Sequence, residues 1–215
     1  MEKPDWFEHE STSVPAYFDA VVSRHSLRHS DPWESSIKIA KHLRSKPKVK
    51  GPIKGTTVKA YVGIVQQGRG YCADFTQVFN GLGYATDVFV REWGMSFGNF
   101  SGEGHAFNEV YLPQSRTWAF IDPLNSFYVF SQKLQRPLSV LEFFGELDEG
   151  PRRLQLIGLN RDFTDSKQQM IDYYRQGTDT LFMWQSNSVF SYDEHPAMAL
   201  LTYLPRSIEQ LLAIV

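Results

Sequence analysis

Apolar positions recur at helical spacing through the first third of the chain, and alternation replaces that spacing in the middle. Phe18, Val21 and Val22 mark one face of a first helix within 16–27. Ser30-Asp31-Pro32-Trp33-Glu34 reads as a helix start, with a cap, a proline in the first turn and an early acid, and Trp33, Ile37, Ala40 and Leu43 continue the stripe of a second helix. Thr56 or Thr57 caps a third helix, with Val58, Tyr61, Val62 and Val65 on one face and an end at Gln66-Gln67. Phe75, Val78, Phe79 and Leu82 then recur at i, i+3, i+4, i+7, and Gly83 is the expected stop.

Beyond that helix, 87–92 reads as a strand, 94–104 as a glycine-rich loop, 105–112 as a strand, Pro113-Gln114-Ser115 as a turn and 116–123 as a second strand. A hairpin centred on Pro113-Gln114 pairs 112 with 115 and 111 with 116. Carried outward, that register sets His105 opposite Asp122, Phe107 opposite Phe120 and Glu109 opposite Trp118, while Ala106, Asn108 and Val110 share the other face with Ala119 and Ile121. Both faces are mostly apolar, so the hairpin is expected to be covered on both sides. Further on, 138–147 and 166–184 look helical and 154–159 looks like a strand. An apolar stretch at 197–203 and an apolar helix at 207–215 follow; with no stop signal, that last helix is expected to dock on the core or to run on in a longer native chain.

Composition narrows the classes of function. The chain has 215 residues, 42% of them hydrophobic, enough for one good core, and neither an internal repeat nor a linker separates a second unit. A formal net charge of −2 implies no nucleic-acid partner. No apolar run approaches the roughly 20 residues of a membrane span, so no membrane partner is expected. Met1-Glu2-Lys3-Pro4-Asp5-Trp6 lacks the basic-then-apolar pattern of a leader, and a single cysteine suits the cytoplasm; a secreted or periplasmic location would follow only if a leader had been removed. His25 and His29 stand four apart near a helix end, without the further ligand a metal site needs, and no metal site is expected.

Candidate chemistry concentrates around Gly68-Arg69-Gly70-Tyr71-Cys72-Ala73-Asp74, which holds the only cysteine. Cys72 falls at a helix start, where unpaired N–H groups and the positive end of the dipole stabilise a thiolate. The plainer alternative is a small buried hydrophobe. If His105 and Asp122 share a face, the carboxylate accepts a hydrogen bond from one imidazole nitrogen and leaves the other for a thiol. A slip of one residue would send Asp122 to the opposite face, and the plainer role for the pair is to close the end of the sheet.

Together, Gly70-x-Cys72 opening a helix, His105-Ala106-Phe107-x-Glu109-Val110 and Trp118-x-x-Ile121-Asp122-Pro123 resemble the core of the transglutaminase-like superfamily, of papain-like cysteine fold. The resemblance covers roughly 55–130, departs at Phe107, where a tryptophan is usual, and lacks a common arginine in 83–88. It implies an α+β fold in which N-terminal helices, the nucleophile helix among them, pack on an antiparallel sheet, with extra C-terminal helices. The expected organisation is one domain over 1–215, with a helical lead-in at 16–46 and a mainly helical extension at 131–215.

The resemblance makes Cys72 the nucleophile, His105 the base and Asp122 the orienting carboxylate. It implies acyl transfer, or hydrolysis of an amide or peptide, through a thioester on a protein, peptide or small amide substrate, with no cofactor. Gln66, six residues before Cys72, matches the offset of a papain-like oxyanion glutamine, with Gln67 as the fallback. Tyr71, Phe97 and Phe100 are the expected substrate contacts, the last two on the loop before His105. The basic run Lys41, Arg44, Lys46, Lys48, Lys50 and Lys54 reads as a solvated linker or as a dock for an acidic substrate or partner. The alternatives are a binding module that keeps the fold without catalysis and acetyl transfer of the arylamine N-acetyltransferase kind.

Overall fold

A computed structural model describes residues 13–53, 55–97, 103–149, 154–160, 163 and 166–183. Among these residues four helices precede the sheet: α1 (Ala16–Arg24), α2 (Pro32–Leu43), α3 (Thr57–Gln67) and α4 (Cys72–Ala85). Their starts follow from local chemistry. The Asp31 carboxylate accepts from Trp33 N at 2.9 Å with Pro32 in the first turn of α2, and Thr56 Oγ1 accepts from Lys59 N at 3.4 Å ahead of α3. α3 ends on Gly68 at φ +66°, where a Cβ would collide with the Pro47 carbonyl oxygen.

Gly83 does not stop α4. The helix passes through it to Ala85, and a Cβ at 83 would run into Val90 Cγ2, so the glycine lets the helix lie close on the first strand.

Among the described residues the sheet has seven strands: β1 (Val90–Phe97), β2 (Glu103–Leu112), β3 (Thr117–Asp122), β4 (Phe127–Ser131), β5 (Arg136–Pro137), β6 (Leu154–Gly158) and β7 (Leu181–Met183). All pairings are antiparallel, in the order β5-β4-β3-β2-β1-β7, with β6 also on β4. α5 (Val140–Glu149) and α6 (Lys167–Arg175) complete the described helices. The architecture is therefore α+β, with N- and C-terminal helices flanking an antiparallel sheet.

Several boundaries differ from the sequence reading. The 87–92 strand starts at Val90, because Asp87 takes positive φ, and runs on to Phe97, four residues into the expected loop. The helix expected over 166–184 ends at Arg175. Gly177 follows, then a 3-10 turn at Thr178–Thr180 and the edge strand β7. β4 was not foreseen, nor was β5. The apolar stretch at 197–203 and the helix at 207–215 lie outside the described residues.

The β2–β3 hairpin corrects the expected register. Glu109 pairs with Phe120, Tyr111 with Trp118 and Leu112 with Thr117, around a turn of four residues, 113–116, that closes with Arg116 at φ +53°. The pairing is displaced by two residues, so His105 is not directly opposite Asp122 but diagonal to it. Because side chains alternate with period two, every face assignment survives.

One face carries Val110 and Ile121, packed with Val90 against Phe75, Val78, Phe79 and Leu82 of α4 and the cores of α1 to α3. The other carries Phe107, Phe120, Phe127 and Val129, packed against Phe143 and Leu147 of α5 and Met170, Ile171 and Tyr174 of α6. Each fully buried side chain of this size contributes about 1.5–3 kcal/mol.

Polar links join these layers. Asn80 of α4 donates to Glu92 at 3.1 Å, and Asn108 Nδ2 donates to Asn80 Oδ1 at 2.9 Å, tying the helix to β1 and β2. Glu109, fully buried, accepts at 2.5 Å from each of Arg91 Nε, Trp93 Nε1 and Val140 N, which anchors the start of α5 to the sheet. Burial pushes the Glu109 carboxyl up despite the Arg91 charge that favours ionisation.

Candidate functional site

The turn before α4 is built by backbone pairing. Val49 forms a parallel bridge with Arg69, in which Val49 N donates to Gly68 O at 2.8 Å and Gly70 N donates to Val49 O at 3.3 Å. Tyr71 N then donates to Asp74 Oδ2 at 2.7 Å, fixing the chain as it enters the helix. Cys72 is the first residue of α4, half-buried and packed on the core of the first helical layer.

His105 lies near the start of β2 and is 4% exposed; Asp122 ends β3 and is fully buried. His105 Nε2 and Asp122 Oδ2 are 2.7 Å apart. The diagonal placement suffices for this bond, since an imidazole spans the extra reach between diagonal neighbours. Asp122 is held from two further sides. Tyr174 Oη donates to Oδ2 at 2.5 Å, while Asn125 donates its amide Nδ2 to Oδ2 at 2.8 Å and its backbone N to Oδ1 at 2.9 Å. Lys48 Nζ in turn donates to Asn125 Oδ1 at 3.3 Å.

These contacts decide the charges. Burial alone would lower the His105 pKa, but the Asp122 charge, its hydrogen bond and the Cys72 thiol, acting through a hydrogen bond and its charge, together raise it to about 10. Burial works against Asp122 ionisation as well, yet His105, Tyr174 and Asn125 hold its carboxyl below the usual range. Both shifts favour the charged forms, imidazolium and carboxylate.

Two aromatic residues from α6 line the same place. Tyr173 sits edge-on to the His105 ring at 5.4 Å and to Phe97 at 5.3 Å. Burial pushes the Tyr173 phenol up, and the Asp122 and Cys72 charges add to the shift. Tyr71 is half-buried directly before Cys72, and Phe97 is half-buried at the end of β1. Gln66 and Gln67 occupy the last turn of α3 and are both exposed. Phe100 lies outside the described residues.

Asn125, Tyr173 and Tyr174 were missed in the sequence. A signal existed for Tyr174: it falls on the apolar face of α6 with Met170 and Ile171, and a buried tyrosine hydroxyl needs a partner. Nothing in the local pattern says that the partner is Asp122.

Among the described residues, no group of three or more His, Cys, Asp and Glu is placed to hold a metal ion. The His25 and His42 rings lie tilted against each other with centroids 4.3 Å apart, and His42 Nε2 lies 2.8 Å from Tyr61 Oη. His29 Nδ1 accepts from Asp31 N at 3.0 Å. Also among the described residues, no helix is long and apolar enough to cross a membrane.

No family model matches the sequence, and no curated protein matches it. Among solved structures, the periplasmic domain of TgpA from Pseudomonas aeruginosa, bound to ethylmercury, is similar with a TM-score of 0.41 and 13% identity, over 54% of this chain and 46% of that one. The match thus spans about half of each.

Proposed function

We propose that this protein is a transglutaminase-like cysteine enzyme that transfers or hydrolyses acyl groups through Cys72, His105 and Asp122. The observation that carries the reading is the buried 2.7 Å bond between His105 Nε2 and Asp122 Oδ2, formed where the thiol of Cys72 influences the same imidazole. With Nε2 committed to Asp122, Nδ1 is the nitrogen left for the thiol.

The steps follow from that arrangement. The Cys72 thiolate adds to the carbonyl of a carboxamide or peptide substrate, and the negative charge develops on the oxygen. The Cys72 backbone N–H at the head of α4 and the Gln66 amide are the donors for it, each worth about 3 kcal/mol. His105 protonates the leaving amine as the C–N bond breaks, which leaves a thioester on Cys72. Water or a second amine, losing a proton to His105, then attacks the thioester and restores the thiol. Tyr71, Phe97 and Phe100 contact the substrate, and no cofactor enters these steps. The activity belongs to one transglutaminase-like unit running through the chain.

The test is the rate of Cys72 alkylation by iodoacetamide as a function of pH, in wild type and in His105→Ala. A depressed thiolate pKa that rises in the variant is expected. A pH dependence equal to that of a simple thiol in both proteins would overturn the activated pair, provided the denatured chain alkylates normally.

A further inference from the structure

Lys46, Lys48 and Lys50 stand at alternate, exposed positions of the segment before α3. On sequence alone this run is an ordinary solvated linker, but the structure ties it to the candidate site. The Val49–Arg69 bridge holds it against the turn that leads into Cys72, three residues beyond Arg69. The Arg69 side chain is exposed and lies across Gly51, where a Cβ would come within 2.9 Å of its Nε. Lys48 Nζ reaches Asn125 Oδ1 at 3.3 Å, and the amide nitrogen of the same Asn125 donates to Asp122 at 2.8 Å. One ammonium therefore stands a single side chain away from the buried carboxylate. Among the described residues, none of Lys46, Lys48, Lys50 and Arg69 forms an ion pair with a carboxylate. The chain as a whole carries −2, so this local excess of cations is not a general property of its surface.

We propose that Lys46, Lys48, Lys50 and Arg69 form a docking rim for an acidic peptide segment, which presents its neighbouring carboxamide to Cys72. The proposal rests on the acyl-transfer reading for the word substrate, and on the rim itself for the charge preference. Single exposed ion pairs are weak, about 1 kcal/mol or less, but four cations held by one backbone bridge act on the same ligand and on its rate of encounter. A peptide fits better than a polynucleotide. The group to be attacked is a carboxamide, and four cations at one rim make no extended track for phosphates.

The experiment uses the full chain and a fluorescein-labelled hexaglutamate peptide, followed by anisotropy at low salt, with hexaglutamine and hexalysine peptides as controls. The wild type is compared with Lys46→Gln/Lys48→Gln/Lys50→Gln/Arg69→Gln, and circular dichroism checks the fold of the variant. Hexaglutamate should bind about tenfold or more tighter than hexaglutamine, lose that advantage in the variant, and weaken as salt approaches about 0.3 M.

Should the variant misfold, the same comparison with Lys48→Gln and Lys50→Gln singly replaces it. Equal hexaglutamate binding in wild type and variant overturns the proposal, as does preferential binding of a single-stranded oligothymidine. The iodoacetamide rate separates the two ideas. Rapid alkylation without a charge preference keeps the enzyme and removes the rim. An ordinary thiol with hexaglutamate binding keeps the rim and removes its role in presenting a substrate.

Discussion

The hydroxyl of Tyr174 donates to Asp122 Oδ2 at 2.5 Å across 52 residues of sequence, from a pocket shared with Phe107, Phe120, Phe127, Phe143 and Phe144. The contact makes α6 part of the candidate site, because it steadies the carboxylate that steadies the imidazole. Tyr174→Phe keeps the ring and its packing while deleting one hydrogen bond to a charged group. It should cost about 1.5–3 kcal/mol in urea denaturation and raise the pKa of Asp122, shifting the acid limb of the stability curve upward. An acid limb identical to that of wild type would show that the hydroxyl does not hold the carboxylate.

Replacing the carboxylate itself should reverse the titration of His105. With Asp122→Asn the charge that raises the imidazole pKa is gone and burial, which lowers it, prevails. Nuclear magnetic resonance of the His105 ring should find it neutral at pH 7, and the protein should lose less than the roughly 3–5 kcal/mol of a pair broken to leave a buried charge, because the imidazole sheds its proton. An imidazole still charged at pH 7 in this variant would mean that Cys72 alone holds the proton.

The pH dependence of stability follows from the same two groups. His105 has a pKa raised from 6.5 to about 10, so its contribution is complete below about 6.5 and is lost as pH climbs to about 10. Asp122 is depressed below 3.8, so its contribution is complete above that value and is lost as pH falls through the depressed one. The pair therefore supports the fold most strongly between those limits. Urea midpoints across pH should decline on the alkaline side, and His105→Gln should flatten that decline. An unchanged alkaline limb in the variant would place the sensitivity elsewhere.

The close approach of α4 to β1 predicts a steric effect with a built-in control. Gly83→Ala pushes a methyl group into Val90 Cγ2, at a cost of about 1–3 kcal/mol. Val90→Ala in the same chain should absorb part of that cost, so a double-mutant cycle should give a favourable coupling. Strict additivity would mean that helix and strand adjust without conflict.

What could be read in the chain was what its neighbours in sequence determine. Asp31, Pro32 and Thr56 announce helix starts by capping chemistry, and Cys72 begins its helix as expected, because these effects act within a single turn. The shared face of His105 and Asp122 was legible although the register was displaced, since a displacement of two leaves the alternation intact. Gly83 was ambiguous, because a helix stop and a close packing contact both call for the absence of a Cβ. Tyr174, Asn125 and β7 were not legible as parts of one place. Their partners are set by how α6 and the segment after it fold back over the sheet, and local spacing does not encode that. Gln66 matched an offset in sequence, while exposure at the end of α3 is all that its surroundings add.

Cys72 is packed with the core of α1 to α4, whereas His105 touches Phe107, Tyr173 and Tyr174 of the aromatic core beneath α5 and α6. Under the proposed mechanism, sulfur and imidazole are therefore supplied by the two separate layers of the fold. Their spacing is a gauge of how those two halves are seated, in the way a vernier reads the offset of two scales. If Cys72 and His105 work as the proposed pair, a substitution deep in either half, far from any substrate, should register at the sulfur as a change of reactivity while most of the fold still stands.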